Sequence, residues 1–184
     1  MSSLIIGLCG KKGCGKTFVA EHLRDNKQAT ILRFADTLKN MMRVMGFSDG
    51  QINGGLKEVA CDMLDGKTPR YAMQTLGTEW GRNLLHENIW VDMLLSKADR
   101  TDGLVVIDDV RFPNEIDAIR EQGGIIAWLE RVSIYEDHDA HSSETSITAD
   151  QCDVFVDNTR AIEDVCENIE GWARLQNKLK DKIN

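Results

Sequence analysis

The stretch GLCGKKGCGKT, Gly7 to Thr17, lies between an apolar run, SLIIG, and a helical-looking stretch, FVAEHLRD. Gly10, Gly15, Lys16 and Thr17 fit the pattern GxxxxGK[ST], in the strand-to-helix setting that the pattern requires. Glycines let the backbone wrap close to an anion and turn its N–H groups inward, and the start of a helix adds positive potential. Lys16 can then reach the β- and γ-phosphates of a nucleotide, and Thr17 offers its hydroxyl to Mg²⁺. A glycine-rich turn that binds nothing is the bland alternative, and the combined strand, loop and helix context weighs against it.

A loop of this kind needs a sheet beneath it. Strand-like runs occur at Leu4 to Leu8, Thr30 to Phe34, Leu104 to Ile107, Gly124 to Leu129 and Val154 to Val156, with helical stretches between them. That alternation predicts an α/β fold, a central parallel five-stranded sheet flanked by helices and joined by right-handed crossovers. At 184 residues and 42% hydrophobic content the chain can bury one sizeable core, so a single domain over 1–184 is expected. The last helix, from about Arg160 to Lys180, carries Ile162, Val165, Ile169, Trp172 and Gln176 on one stripe that would pack on the sheet. One long polar insertion, from Glu130 to Asp150, reads as a lid.

Charge narrows the partners. A net charge of −8 argues against a general electrostatic grip on nucleic acid or anionic membrane, so a small anionic substrate must meet individually placed arginines. Five scattered cysteines without a CxxC pair fit free thiols in a reducing cytosol. No run of about 18 apolar residues occurs. A cytoplasmic protein with no stable nucleic-acid partner is therefore expected, and a homodimer is compatible with the sequence.

The stretch LVVIDDVRF is an apolar strand ending in Asp108 and Asp109, which would place a carboxylate at the ligand-binding edge of the sheet, near a hydrated Mg²⁺. Adjacent residues of an extended chain point in different directions, so one of the two would serve the metal and the other cap the turn or face solvent. Arg111 falls on the Asp109 side if the extended geometry continues, with a structural salt bridge to that aspartate as the alternative.

PRYAMQTLGTEWGRNLL, Pro69 to Leu85, reads as one helix with an apolar stripe of Met73, Leu76, Trp80 and Leu84. Arg70, Gln74, Gly77 and Gly81 fall within about 60° of one another on the wheel. Glycine costs about 1 kcal/mol in a helix interior, so two on one stripe imply that something comes close to the backbone there. An anionic, hydrogen-bonding ligand and a tightly packed second helix both satisfy that requirement.

GKKGCGKT, RFADTLK, RYAMQTLGTEWGR, IDDVRFPNE and HSSE follow one another in an order that resembles the bacteriophage-type deoxynucleoside monophosphate kinases, which have the P-loop kinase fold. The resemblance implies that Gly10, Gly13, Gly15, Lys16, Thr17 and Phe18 hold ATP, and that Asp36, Lys39, Arg70, Gln74, Gly77, Arg82 and Glu144 serve the acceptor nucleotide. Arg111 would approach the transferring or acceptor phosphate, and Arg131 would be a lid arginine, so that Lys16, Arg111 and Arg131 form the catalytic set. Thr17 with Asp109 or Asp108 would serve Mg²⁺. The family pattern favours Asp109, although IDDVRF departs from the single aspartate expected after a small or polar residue.

Several of these residues have plainer readings. Asp36 could be the N-cap of the helix that follows it, and Arg131 a solvated loop residue. EDHDAHSSE holds His138, His141 and four acids without a fixed ligand frame, so a lid closed by His141 and Glu144 is preferred over a metal cluster. Met41, Met42 and Met45 read as core.

The expected activity is transfer of the γ-phosphoryl group of ATP to a deoxynucleoside 5′-monophosphate. The alternatives are a P-loop kinase for another small phosphate acceptor, such as phosphomevalonate, and a nucleotide-dependent switch or binding module. The absence of a guanine-reading NKxD element disfavours the switch.

Overall fold

The computed structural model describes residues 3–131 and 147–180. Its strands are β1 (Leu4–Cys9), β2 (Thr30–Leu32), β3 (Leu104–Ile107), β4 (Ile125–Glu130) and β5 (Val154–Asp157). Its helices are α1 (Lys16–Lys27), α2 (Ala35–Val44), α3 (Asp49–Ile52), α4 (Pro69–Thr75), α5 (Ile89–Ala98), α6 (Pro113–Glu121) and α7 (Ile162–Lys180). The residues group into two compact units, Met1–Arg33 with Leu94–Asn184, and Phe34–Met93.

The first unit is built on one five-stranded sheet in the order β2-β3-β1-β4-β5, and every pairing is parallel. β1 is central because its residues from Ile5 to Cys9 are buried, as a strand covered on both faces demands. Ile6 and Leu8 face a core formed with Val19, Ala20 and Leu23 of α1 and Val165, Cys166, Ile169 and Ala173 of α7. Gly7 points the other way, toward Ile119 of α6, so helices cover both faces. Each fully buried Ile or Leu contributes about 1.5–3 kcal/mol, and Leu8→Ala at the centre of this core would cost about 2–5 kcal/mol.

The expected five-stranded parallel sheet is present, with small shifts at the strand ends. β1 and β4 each run one residue further, to Cys9 and Glu130, while β2 stops at Leu32 because the chain turns into α2 at Phe34. α7 departs from the expected stripe. It buries Val165, Cys166, Ile169 and Ala173, whereas Trp172 is 42% exposed. Spacings of four residues place 165, 169 and 173 on one face, and the small Cys166 and Ala173 allow close approach to the sheet.

The second unit has its own core of Met42, Phe47 and Ile52, against which Leu38, Cys61, Leu64, Ala72, Met73 and Leu76 pack. Only Met42 of the three methionines is fully buried, and Met45 is exposed. Ser48 and Gln51 close a capping box around α3. Thr68 caps α4 by accepting from the Tyr71 N–H at 3.1 Å, with Pro69 at the first helical position.

The expected single helix from Pro69 to Leu85 is not continuous. After seven α-helical residues the chain widens into a π-helix over Leu76–Leu85. Bonding from i to i+5 adds a residue to each turn and shifts the phase of everything beyond it. The α-helical wheel therefore fails past Thr75: Met73 and Leu76 reach the core, but Trp80 is 38% exposed and Leu84 75% exposed.

Candidate active site

β1 delivers the chain into the glycine loop, where Gly10, Gly13 and Gly15 all have positive φ, at 133°, 80° and 95°. Gly10 could not be replaced, since a Cβ there would strike the Leu129 carbonyl oxygen of β4. Gly15 is the left-handed N-cap of α1, and a Cβ on it would stand 2.5 Å from Asn158 Nδ2. Lys16 opens α1 and donates from Nζ to the carbonyls of Gly10 (2.6 Å) and Lys11 (3.1 Å), so its charge lies across the loop. Thr17 and Phe18 are exposed on the first turn of α1. Cys9, buried just before the loop, is held protonated by its hydrogen bond with Cys152 and by burial.

Asn158 is a residue that sequence reasoning missed. It follows β5, its backbone N–H donates to the Glu130 carbonyl at 2.8 Å, and its Nδ2 donates to the Cys14 carbonyl at 2.7 Å. A buried amide thus pins the middle of the loop to the end of the sheet. Nothing in the sequence marks a partner 144 residues away.

The ends of β3 and β4 flank the loop. Gly7 pairs with Ile107, so Asp108 and Asp109 leave β3 beside the last residues of β1, while Cys9 pairs with Trp128 on the other side. The two aspartates differ. Asp108 is 5% exposed, and both its oxygens accept from Arg33, at 2.7 Å from Nε and 2.9 Å from Nη2. Asp109 is half-buried. Arg111 is exposed, and its backbone N–H donates at 2.7 Å to Glu115 Oε2, which also accepts from Phe112 N at 3.1 Å. Glu115 itself is 2% exposed. This buried carboxylate fixes the turn that presents Arg111, and Pro113 and Glu115 at the start of α6 were the sequence signal for it. Arg131 is exposed directly after β4. Residues 132–146, including His138, His141 and Glu144, lie outside the described residues.

Of the residues expected to serve an acceptor, Asp36, Lys39, Arg70, Gln74, Gly77 and Arg82 belong to the second unit. Asp36 is the second residue of α2 and not its N-cap, which is Phe34; Lys39 lies one turn on, and both are half-buried. Arg70 and Gln74 are one turn apart on α4, and Arg70 forms an ion pair with Glu58. Gly77 and Arg82 are on the π-helix, where Arg82 Nη1 approaches the Glu87 carbonyl at 3.5 Å.

The two helical glycines, grouped together on sequence grounds, separate in the structure. A Cβ on Gly77 would meet only the Leu38 side chain, at an ordinary 3.5 Å, whereas one on Gly81 would stand 2.6 Å from the indole of Trp90. Gly81 is therefore a packing glycine, whereas at half-buried Gly77 a methyl would fit in ordinary contact with Leu38.

A crystal structure of shikimate kinase from Aquifex aeolicus matches the chain with a TM-score of 0.53 and 9% identity, covering 92% of this chain and 96% of that one. The likeness is one of fold, and with the glycine loop, Lys16 and Thr17 it defines a P-loop kinase. A protein of Acanthamoeba polyphaga mimivirus, provisionally assigned as a deoxynucleotide monophosphate kinase, is 36% identical over 184 residues, covering 90% of this chain and 94% of its own. The deoxynucleoside-5′-monophosphate kinase of Escherichia phage T5 is 35% identical over 85 residues, 41% of this chain and 34% of its own. The family profile described as deoxynucleotide monophosphate kinase matches residues 44–169. The chain belongs to the deoxynucleotide monophosphate kinase family.

Proposed function

We propose that this kinase phosphorylates deoxynucleoside 5′-monophosphates to diphosphates with ATP as the donor and ADP as the second product. The observation that carries the reading is the joint presence of the glycine loop with Lys16 and a family relationship extending over nine-tenths of the chain. The acceptor phosphate oxygen attacks the γ-phosphorus in line. It is already anionic at neutral pH, so no strong general base is needed, and catalysis rests on alignment and charge neutralisation.

The loop N–H groups from Gly10 to Gly15 hold the ATP phosphates, and Lys16 exchanges its carbonyl partners for phosphate oxygens. Phe18 lines the nucleotide side. Thr17 and Asp109 are hard oxygen donors of the kind Mg²⁺ accepts, and would hold it with water and phosphate oxygens; the ion supplies neutralisation of phosphate charge. Asp108, committed to Arg33, keeps the end of β3 in place. Arg111 and Arg131 meet charge on the transferring phosphate. Arg70, Gln74, Gly77 and Arg82, with Asp36 and Lys39, hold the acceptor nucleotide, and Arg70 exchanges Glu58 for its phosphate.

On this reading the work is done in the cytoplasm, that of a host if the protein is phage-encoded, in keeping with its mimivirus and phage T5 relatives; among the described residues no helix is long and apolar enough to cross a membrane. ADP release from ATP-Mg²⁺ with dAMP, dCMP, dGMP, dTMP and their ribose counterparts in turn tests the reading. Acceptor-dependent ADP with one or more deoxynucleotides supports it. Release that responds to phosphomevalonate and to no nucleotide contradicts it.

A further inference from the structure

The π-helix over Leu76–Leu85 carries two of the acceptor-side residues, Gly77 and Arg82, and one side chain from outside it is bonded to its backbone. Trp90, at the start of α5 and 4% exposed, donates its indole N–H to the Gly77 carbonyl at 2.8 Å. Its ring lies where a Cβ of residue 81 would be, since that atom would fall 2.6 Å from Cζ2 and 2.8 Å from both Cε2 and Nε1. Trp80, on the π-helix itself, lies 6.5 Å from Trp90 between centroids, tilted by 42°. The His86 N–H closes the last wide turn onto the Gly81 carbonyl at 3.0 Å.

The i to i+5 register makes the Gly77 carbonyl the partner of the Arg82 N–H. The peptide that Trp90 grips is thus the one that links Gly77 to Arg82. Wide helical turns are uncommon and recur at functional sites. A segment returning to i to i+4 bonding would rotate the residues beyond it by about 100°, one residue's worth, and carry Arg82 to another side.

We infer that Trp90 is a positioning residue for the acceptor nucleotide: its indole N–H on Gly77 and its ring against Gly81 hold the wide register that sets Arg82 in phase with Gly77. The inference rests on the acceptor reading of this helix given above. Gly81 is then the residue whose lack of a side chain admits the ring, and Gly77 the one whose carbonyl takes the bond.

The experiment uses the full chain and steady-state titration of dNMP and ATP, each at saturation of the other. Trp90→Phe keeps an aromatic filler and deletes the donor; Gly81→Ala drives a methyl into the ring; Arg82→Met reports on the acceptor site itself. Trp90→Phe is expected to raise the deoxynucleotide KM about 3- to 10-fold while the ATP KM stays within about twofold. Gly81→Ala should do the same, and the pair should be strongly non-additive, because the smaller ring relieves the clash. A purely structural tryptophan would lower Tm and the amount of folded enzyme and leave both KM values of the folded fraction unchanged, which overturns the inference. If Gly81→Ala fails to fold, Trp90→Phe alone decides. An Arg82→Met effect on the acceptor KM without a Trp90→Phe effect overturns the inference and leaves the acceptor helix standing. No effect of Arg82→Met or Trp90→Phe overturns both.

Discussion

Arg33 holds both carboxylate oxygens of Asp108, through Nε at 2.7 Å and Nη2 at 2.9 Å, with the Asp108 side chain 2% exposed and that of Arg33 31% exposed. A forked pair of this kind is charge-assisted and geometrically demanding. Asp108→Asn should remove about 1.5–3 kcal/mol of stability and lower Tm by about 4–10 °C in a chain of this size. Asp109→Asn, at the less buried neighbour, should lower Tm less than Asp108→Asn does and lower kcat about 10- to 100-fold. Thermal melts and turnover of both variants check the division of labour, and the opposite pattern would give the metal side to Asp108.

Asn158 makes a second long-range tie, donating to the Cys14 carbonyl from 144 residues away. Asn158→Ala leaves that buried acceptor unpaired, at a cost of about 1–3 kcal/mol. Because the damage falls on the phosphate loop, the ATP KM should rise about 3- to 10-fold while the deoxynucleotide KM holds. A shift in the deoxynucleotide KM alone would mean that Asn158 does not support the ATP loop.

Lys16 lies across its own loop with its ammonium on the Gly10 and Lys11 carbonyls, ready to meet phosphate charge instead. Lys16→Ala should lower kcat by about 10²-fold or more, by analogy with removal of one preorganised transition-state donor. Calorimetric binding of the deoxynucleotide should not change. Turnover within about threefold of wild type in a folded variant would refute the role of the loop.

Cys166, buried on the core-facing side of α7, has its thiol pushed from 9.0 to about 11, first by burial and then by Glu170 and Glu163. The native state therefore keeps this proton to higher pH than the unfolded chain does. Its contribution to stability is complete below pH 9 and is lost as pH rises through about 11. The Tm of wild type should accordingly fall more steeply than that of Cys166→Ala between those limits. Parallel curves would show that Cys166 does not titrate differently on folding.

The fold was legible where the signal is local. β1, the glycine loop and α1 are adjacent in sequence, and the buried strands announce themselves as apolar runs. The placing of Asp108 and Asp109 at the end of β3 was legible for the same reason. Two kinds of information were not. Arg33 with Asp108 and Asn158 with Cys14 are side-chain pairs separated by 75 and 144 residues, and no periodicity encodes them. The π-helix was hidden because a wheel assumes one pitch throughout; Trp80 and Leu84 look like core at 3.6 residues per turn and lie exposed at the wider one. Trp90, which lies outside the wheel, is what separates the roles of Gly77 and Gly81.

Phosphoryl transfer to the deoxynucleotide can be watched by following the γ-phosphoryl group of labelled ATP in the presence of Mg²⁺ and a deoxynucleoside monophosphate. The label is expected in the β-position of the deoxynucleoside diphosphate, in equal amount to the ADP formed, and Lys16→Ala should abolish the signal. Label found only in inorganic phosphate, at a rate indifferent to every deoxynucleotide supplied, would contradict it.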